Sequence, residues 1–475
     1  MTSRGMTSRW GIGPRWLVGG GVALAAGGAL AADIAPRERY DGAVVPMAIH
    51  AGPFELAWGP HVQRVKDLYG IDLELIGIPV TELFDKEVLE LSTGTGAYCL
   101  MQINPGWMGD YVDYLLPLDE YMEKWDPAWE DIHEGFRVWE NTYEGKRYSL
   151  TMDGDIILGY YRKDLFEDPD EQAAFRGKYG YDLAPPATWE QLTDINAFFT
   201  RDRDNDGRLD MWGYADQAKR GRSFYWFLLR YIGYSSPDPH YFDPETMEPL
   251  INSAAGVAAL EHYIATVEAG PPGVLGWEWD ELFTAFMQGN IAMSLHWPDE
   301  GLNKHVLLEN VPEAEMGYFV PPGVEQDGQI QRRSMTFGGW ILGLAKDCPD
   351  PEAAYTVMWH MLSPEVSTLL VMTPGGGTDM FRQSHFDSPV IGLLADQEYI
   401  STYRDSIAIN FPELRIPGGF EYYDTLDVHV QQALAGEVSA QEALDAAADA
   451  WEAITERFGR DEQKAKYAAA MGLKG

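Results

Sequence analysis

The chain has 475 residues and a formal charge of −39, set by 74 acidic against 35 basic side chains. A field of that sign excludes nucleic acid and anionic lipid as partners, because binding phosphate needs clustered Lys and Arg. Solubility is its plainest meaning, and it says little about a small ligand.

Arg4, Arg9 and Arg15 precede an apolar stretch, Trp16 to Leu30, that is short and Gly-rich for a bilayer span. Ala29-Leu30-Ala31 has the A-x-A form of an export cleavage site. Residues 1–31 are therefore expected to be a signal peptide, with the mature chain starting at Ala32 and carrying −42. No Arg-Arg pair occurs in the segment, which favours the general export route, and no Cys follows the cleavage point to carry a lipid. The expected address is the periplasm, with no membrane insertion after cleavage. About 440 residues remain, enough for two or more lobes. Cys99 and Cys348 are the two cysteines. An exported address permits them to pair, but two thiols define neither a disulfide framework nor a metal cluster.

From Val44 strand-like and helix-like segments alternate. Val45 to Ile49 reads as a short strand and Phe54 to Tyr69 as a helix. Asp72 to Ile78 alternates well enough for a strand, and Thr81 is placed to cap a helix with Leu83, Phe84, Val88 and Leu91 on one side. This rhythm predicts an α/β fold with helices covering a sheet. Tyr148-Ser-Leu-Thr-Met-Asp153-Gly-Asp155 then puts two carboxylates in a polar loop before the apolar run Ile156 to Tyr161, which reads as a buried strand. Pro185-Pro-Ala-Thr188-Trp-Glu-Gln191 ends the extended segment and sets up a capping box, with Trp189, Leu192, Ile195, Phe198 and Phe199 on the apolar helix face. Pro321-Pro-Gly323 with the polar run to Arg333 reads as a connector, and so does Thr373-Pro-Gly-Gly-Gly-Thr378. In the tail, Ser439 and Glu442 form a second box ahead of Leu444, Ala447, Trp451 and Ile454.

Asp202-Arg-Asp204-Asn-Asp206-Gly207-Arg208-Leu-Asp210 follows the first nine positions of an EF-hand loop. Alternate carboxylates can converge on one hard cation, with Gly207 giving the sharp turn and Arg208 a main-chain carbonyl. Position twelve is Gly213 rather than a bidentate Glu, so another residue must complete the shell. A structural calcium ion is the expectation, and no other cofactor is required.

The 16 Trp and 25 Tyr are many for this length. Sugars present C–H faces edged by hydroxyls, so a sugar site wants flat rings beside acceptors and donors. Trp189, Trp226 and Trp451 sit on apolar helix faces and read as packing. Trp107, Trp297 and Trp340 stand at loop or strand ends beside polar or Gly residues. Asp153 and Asp155 can accept charge-assisted hydrogen bonds. Arg382 and Arg415 are candidate bidentate donors to paired hydroxyls. The chain has no G-x-S-x-G, H-E-x-x-H or phosphate-loop motif. Glycoside hydrolysis needs only two carboxylates, so a secreted glycoside hydrolase is the alternative to a binding protein.

The segment from Tyr148 to Leu192 resembles the extracellular solute-binding proteins of carbohydrate ABC importers, the maltose-binding-protein-like group. Ser92 to Tyr98, Leu116 to Asp119, Ala285 to Met293, Gly338-Gly339-Trp340 and Ala435 to Leu444 fall in the order of that family. The resemblance implies two discontinuous lobes with crossovers near 150, 325 and 375. One lobe would take 32–150 with 325–374, the other 151–324 with 375–475. It implies a receptor, not an enzyme, that closes on a neutral sugar or polyol and hands it to an ABC permease. By the same resemblance, Trp107, Trp297 and Trp340 border the sugar, and Asn104 stands where the family often has Asp. The main chain at Gly338 and Gly339 approaches the ligand. Cys99 replaces a common Asp, so that carboxylate's role does not carry over.

Overall fold

The structure, a computed structural model, describes residues 38–336 and 339–472. The expected signal peptide 1–31, the predicted start at Ala32 and Gly338 lie outside them.

The chain opens as the alternation predicts: β1 (Val44–His50), α1 (Pro53–Tyr69), β2 (Asp72–Ile78) and α2 (Val80–Thr93), followed by β3 (Leu100–Ile103). β1 pairs in parallel with both β2 and β3. Pro79, not Thr81, occupies the N-cap of α2, and no side chain caps that end. Proline fixes φ for the turn into the helix, and Thr81 falls inside the first turn. Next come β4 (Ser149–Asp153), β5 (Leu158–Arg162), α3 (Trp189–Phe199), β6 (Trp212–Ala215), α4 (Ser223–Tyr234), β7 (Ile291–His296), β8 (Met316–Phe319) and β9 (Trp340–Leu344). Two long helices, α5 (Gly419–Leu434) and α6 (Ala440–Phe458), lie near the end of the described chain.

The strands form two larger sheets. The first has the order β2-β1-β3-β9-β4, and β9 runs antiparallel to both its neighbours. The second has the order β8-β5-β7-β6, with β6 and β7 parallel and the other pairs antiparallel. The sheets take their strands from different stretches, yet β9 returns to the first after the whole second sheet has been laid down. Cys99 and Cys348 form a disulfide across that return, joining residues 249 apart in sequence.

Both faces of the second sheet are covered, and period-two alternation decides which side chain goes where. Leu158, Tyr160, Met316 and Tyr318 pack with the core of the first sheet. Tyr161, Met293, Leu295 and Phe319 join the opposite core with α3, α4, α5 and α6. Trp189, Trp226 and Trp451 are fully buried there, as the helical spacing predicted. Thr188 accepts the Gln191 amide (3.2 Å), but the Gln191 side chain turns to the Ala187 amide (2.7 Å), so only half of that box forms. The Ser439–Glu442 box is complete. Residues 324–331 form a small hairpin rather than an open connector.

Candidate functional site

The chain leaves the first sheet at Asp153, paired with Trp340 on β9, and turns through Gly154 and Asp155 before entering the second. The segment around Asp379 lies against this turn. Its amide donates to Asp153 Oδ1 (2.7 Å). Tyr403 Oη donates to Gly154 O, and also to Met380 O at 2.9 Å. A Cβ on Gly154 would stand 2.1 Å from Met380 O, so only glycine permits this approach of two backbones. The consequence is chemical: Asp153, Asp155 and Asp379 each place a carboxylate oxygen within 4.8 Å of the others, and all three are buried.

Asp299 faces the same cluster from the end of β7. Tyr160 Oη holds Trp297 O (2.8 Å) and Tyr399 Oη holds Pro298 O (2.7 Å), which fixes the loop carrying Asp299. Burial pushes Asp153, Asp155 and Asp379 well above the usual carboxylate range, and the neighbouring acids push the same way. Asp299 is pushed up to about 7 by burial, against hydrogen bonds from Trp279 and the Glu300 amide. Acids and amide donors set these values, and among the described residues no Lys or Arg forms an ion pair with any of the four.

Aromatic rings border the cluster. Trp340 meets Trp107 edge-on (5.8 Å) and sits 6.0 Å from the His50 ring and 6.2 Å from Phe54. Trp297 packs edge-on against Trp226 (5.3 Å) and Tyr225 (6.4 Å). The Arg222 guanidinium lies 5.5 Å from the Trp297 ring centre. Arg222 reaches that point because it precedes α4, whose first turn is held by Asp427 of α5 through the Phe224 amide (2.9 Å). Burial, then the Arg222 charge, lower His50 to about 4, so His50 is neutral at physiological pH. Buried acids flanked by aromatic rings are the groups that would hold a ring or chain rich in hydroxyls.

A second acidic group adjoins the first. Glu413, 1 % exposed, has no hydrogen-bond partner on either oxygen and is pushed up to about 8 by burial, with Arg415 opposing. Glu140 is wholly buried and raised by burial, then by Glu413 and Asp153. Gly106 is pressed close to Glu413, its would-be Cβ standing 2.5 Å from Oε2.

Several predicted residues are placed differently from expectation. Asn104 lies near the rings, but its Oδ1 caps the turn at the Gly106 amide (3.0 Å). The Gly339 amide donates to Thr336 O (3.2 Å), and its Cα side faces Glu140 and Asp153. Arg382, expected to grip paired hydroxyls, donates instead to Pro127 O (3.0 Å), Ala128 O (3.0 Å) and Leu362 O, because a guanidinium fork suits converging carbonyls as well as diols. Arg415 donates to Thr142 O (3.0 Å) and Ala470 O (3.3 Å) and serves the site through Glu413 and Glu140. In the acidic loop, Asp202, Asp204 and Asp206 bring oxygens within 4.8 Å of one another, and Gly207 takes φ +90°. Arg208 donates its amide to Asp206 Oδ1 (2.8 Å), leaving its carbonyl as the ligand to test. Asp210 departs from the expected set: it accepts from the Arg203 amide (2.9 Å) and pairs with the guanidinium (3.3 Å). A neighbouring cation satisfies that carboxylate within the chain.

Asp299, Asp379, Glu140, Glu413, Arg222 and His50 were not singled out from the sequence. Position gave a readable cue for three of them: Asp299 stands two residues after Trp297, Asp379 directly follows the Thr373–Thr378 connector, and Glu413 stands two before Arg415.

Comparisons with known proteins agree with this architecture. A solute-binding protein of Agrobacterium radiobacter K84, solved with ribitol, superposes with a TM-score of 0.72 at 23 % identity over 88 % of this chain and 100 % of its own. Maltose-bound MalE3 of T. maritima gives 0.70 at 20 % identity, covering 87 % of this chain and all of that one. A solute-binding protein of Agrobacterium vitis S4 with bound D-mannitol gives 0.70 at 20 %, covering 88 % and 99 %. A probable amino-acid ABC transporter periplasmic-binding protein of Sinorhizobium fredii is 22 % identical over 308 residues, spanning 62 % of this chain and 63 % of that relative. The sequence model for the bacterial extracellular solute-binding protein matches residues 62–368, well over half the chain, and the chain belongs to that family.

Proposed function

We propose that the protein is a receptor for a polyhydroxylated solute, a sugar or polyol, which it captures between its two sheets and delivers to an ABC permease. The observation that carries this reading is the pairing of Trp340 and Trp297 with the carboxylates of Asp153, Asp155, Asp299 and Asp379 at the junction of the sheets. Rings cover C–H faces, and carboxyl groups exchange hydrogen bonds with hydroxyls. Solved relatives of the same fold hold ribitol, D-mannitol and maltose, which supports the class of solute.

The lobes in this reading are 32–150 with 325–374 and 151–324 with 375–475. A solute touching both binds the closed form better than the open one, and that difference shifts the hinge equilibrium. The signal segment 1–31 directs the chain to the periplasm, where the permease reads the closed shape. The loop at Asp202, Asp204 and Asp206 holds calcium as a clamp, not as part of the solute site.

Thermal shift followed by calorimetry over sugars and polyols tests the reading, with chelator as a second arm. One solute class raises the unfolding midpoint and returns chemically intact. No stabilisation by any member, or release of reducing sugar from an oligosaccharide, refutes the receptor. A midpoint unmoved by chelator and by added calcium refutes the clamp.

A further inference from the structure

We propose that the carboxylates of Asp153, Asp155, Asp299 and Asp379 receive the ammonium group of an amine-bearing sugar or amino-alditol. This rests on the receptor reading and narrows it, replacing the uncharged solute expected from sequence with a cationic one.

Charge balance is the first argument. Four carboxylates meet in the interior, with no Lys or Arg ion pair to any of them among the described residues. Buried acids of one sign must hold protons or find a cation. A neutral polyol supplies hydroxyl donors but cancels no charge. Asp379 is the second argument: it is 2 % exposed, its carboxyl is bonded to Asp155 inside the cluster, and its Oδ1 receives no donor from the rest of the chain. That oxygen is open to a donor brought by a ligand.

An ammonium suits what the cluster offers: carboxylate oxygens of Asp153, Asp155 and Asp379, each within 4.8 Å of the others, can surround one nitrogen at hydrogen-bond distance. An ammonium has three N–H donors once its fourth bond goes to carbon, and three carboxylates satisfy all of them. Calcium wants six to eight oxygens. The nearby carbonyls of Gly154 and Met380 are already engaged by Tyr403, and Asp153 Oδ1 by the Asp379 amide. Trp297 already takes one cation, the Arg222 guanidinium, on its ring, and Trp340 offers a second ring of that kind. A bound ammonium also displaces the protons the cluster holds when empty.

The test uses matched twins on the full mature protein at pH 7 with EDTA: 1-amino-1-deoxy-D-sorbitol against D-sorbitol, and D-galactosamine against D-galactose. In calorimetry the amine member of a binding pair is held about tenfold tighter, and it alone releases protons to the buffer. Asp379→Asn and Asp155→Asn bring the ratio toward one. Equal affinity within the pairs, or preference for the neutral twin, overturns the ammonium site and leaves the receptor standing. Binding by neither kind overturns both. Stabilisation by Ca²⁺ or Mg²⁺ alone that Asp379→Asn abolishes assigns the cluster to a metal, which also overturns the proposal. The wild-type comparison decides the matter even where a variant fails to fold.

Discussion

Asp299→Asn is predicted to make the solute-free protein more stable above neutral pH. The Asp299 carboxyl is raised from 3.8 to about 7 in the folded state. Between those values the folded protein holds a proton that the unfolded chain has lost, so stability falls as pH rises through that window. The penalty is complete above pH 7 and absent below 4. Three pKa units correspond to about 4 kcal/mol. The side chain keeps 19 % exposure and shares its field with three other acids, which reduces the recoverable part to about 2 kcal/mol. For some 440 residues that is roughly 2 °C in the unfolding midpoint. Asparagine keeps the shape and can still accept the hydrogen bond from Trp279. Midpoints of wild type and variant, measured with EDTA and without solute, should separate at pH 8 and coincide at pH 4. A variant no more stable at pH 8, or equally stabilised at both pH values, would refute the argument that burial of the carboxyl dominates here.

Three other outcomes follow from the geometry. Trp297→Ala should weaken solute binding by about 1–3 kcal/mol, as for a lost stacked ring; calorimetry with an unchanged dissociation constant would remove that ring from the site. Cys348→Ser should cost about 2–4 kcal/mol in urea unfolding, because the 249-residue separation makes the closed loop long, and dithiothreitol should produce the same loss in wild type. Gly154→Ala should lower stability by about 1–3 kcal/mol, since its Cβ meets main chain rather than a movable side chain; a neutral result would mean the two crossing segments separate freely.

Local chemistry was readable and long-range pairing was not. Ser439 and Glu442 are three residues apart, and their capping box follows from that spacing alone. Thr81 had the right chemistry for a cap, but Pro79 set the backbone two residues earlier. Asp153 and Asp155 announced themselves as two acids before an apolar run. Asp379 did not, because its role comes from Gly154, whose missing side chain lets a segment 226 residues away lie against it. Arg382 shows the opposite failure. Its fork was recognised, but three carbonyls from distant turns claimed it, and no sequence spacing reports where such carbonyls converge.

The central position of β9 has a consequence for how the molecule is made. A growing chain that has not yet reached Trp340 carries β3 and β4 with an empty lane between them, each showing a row of unsatisfied amides and carbonyls. Such open borders invite pairing with other chains. The early half is therefore sticky until the late strand slots in and Cys348 reaches Cys99. Truncations that stop near residue 330 should precipitate, although they contain every other strand of both sheets.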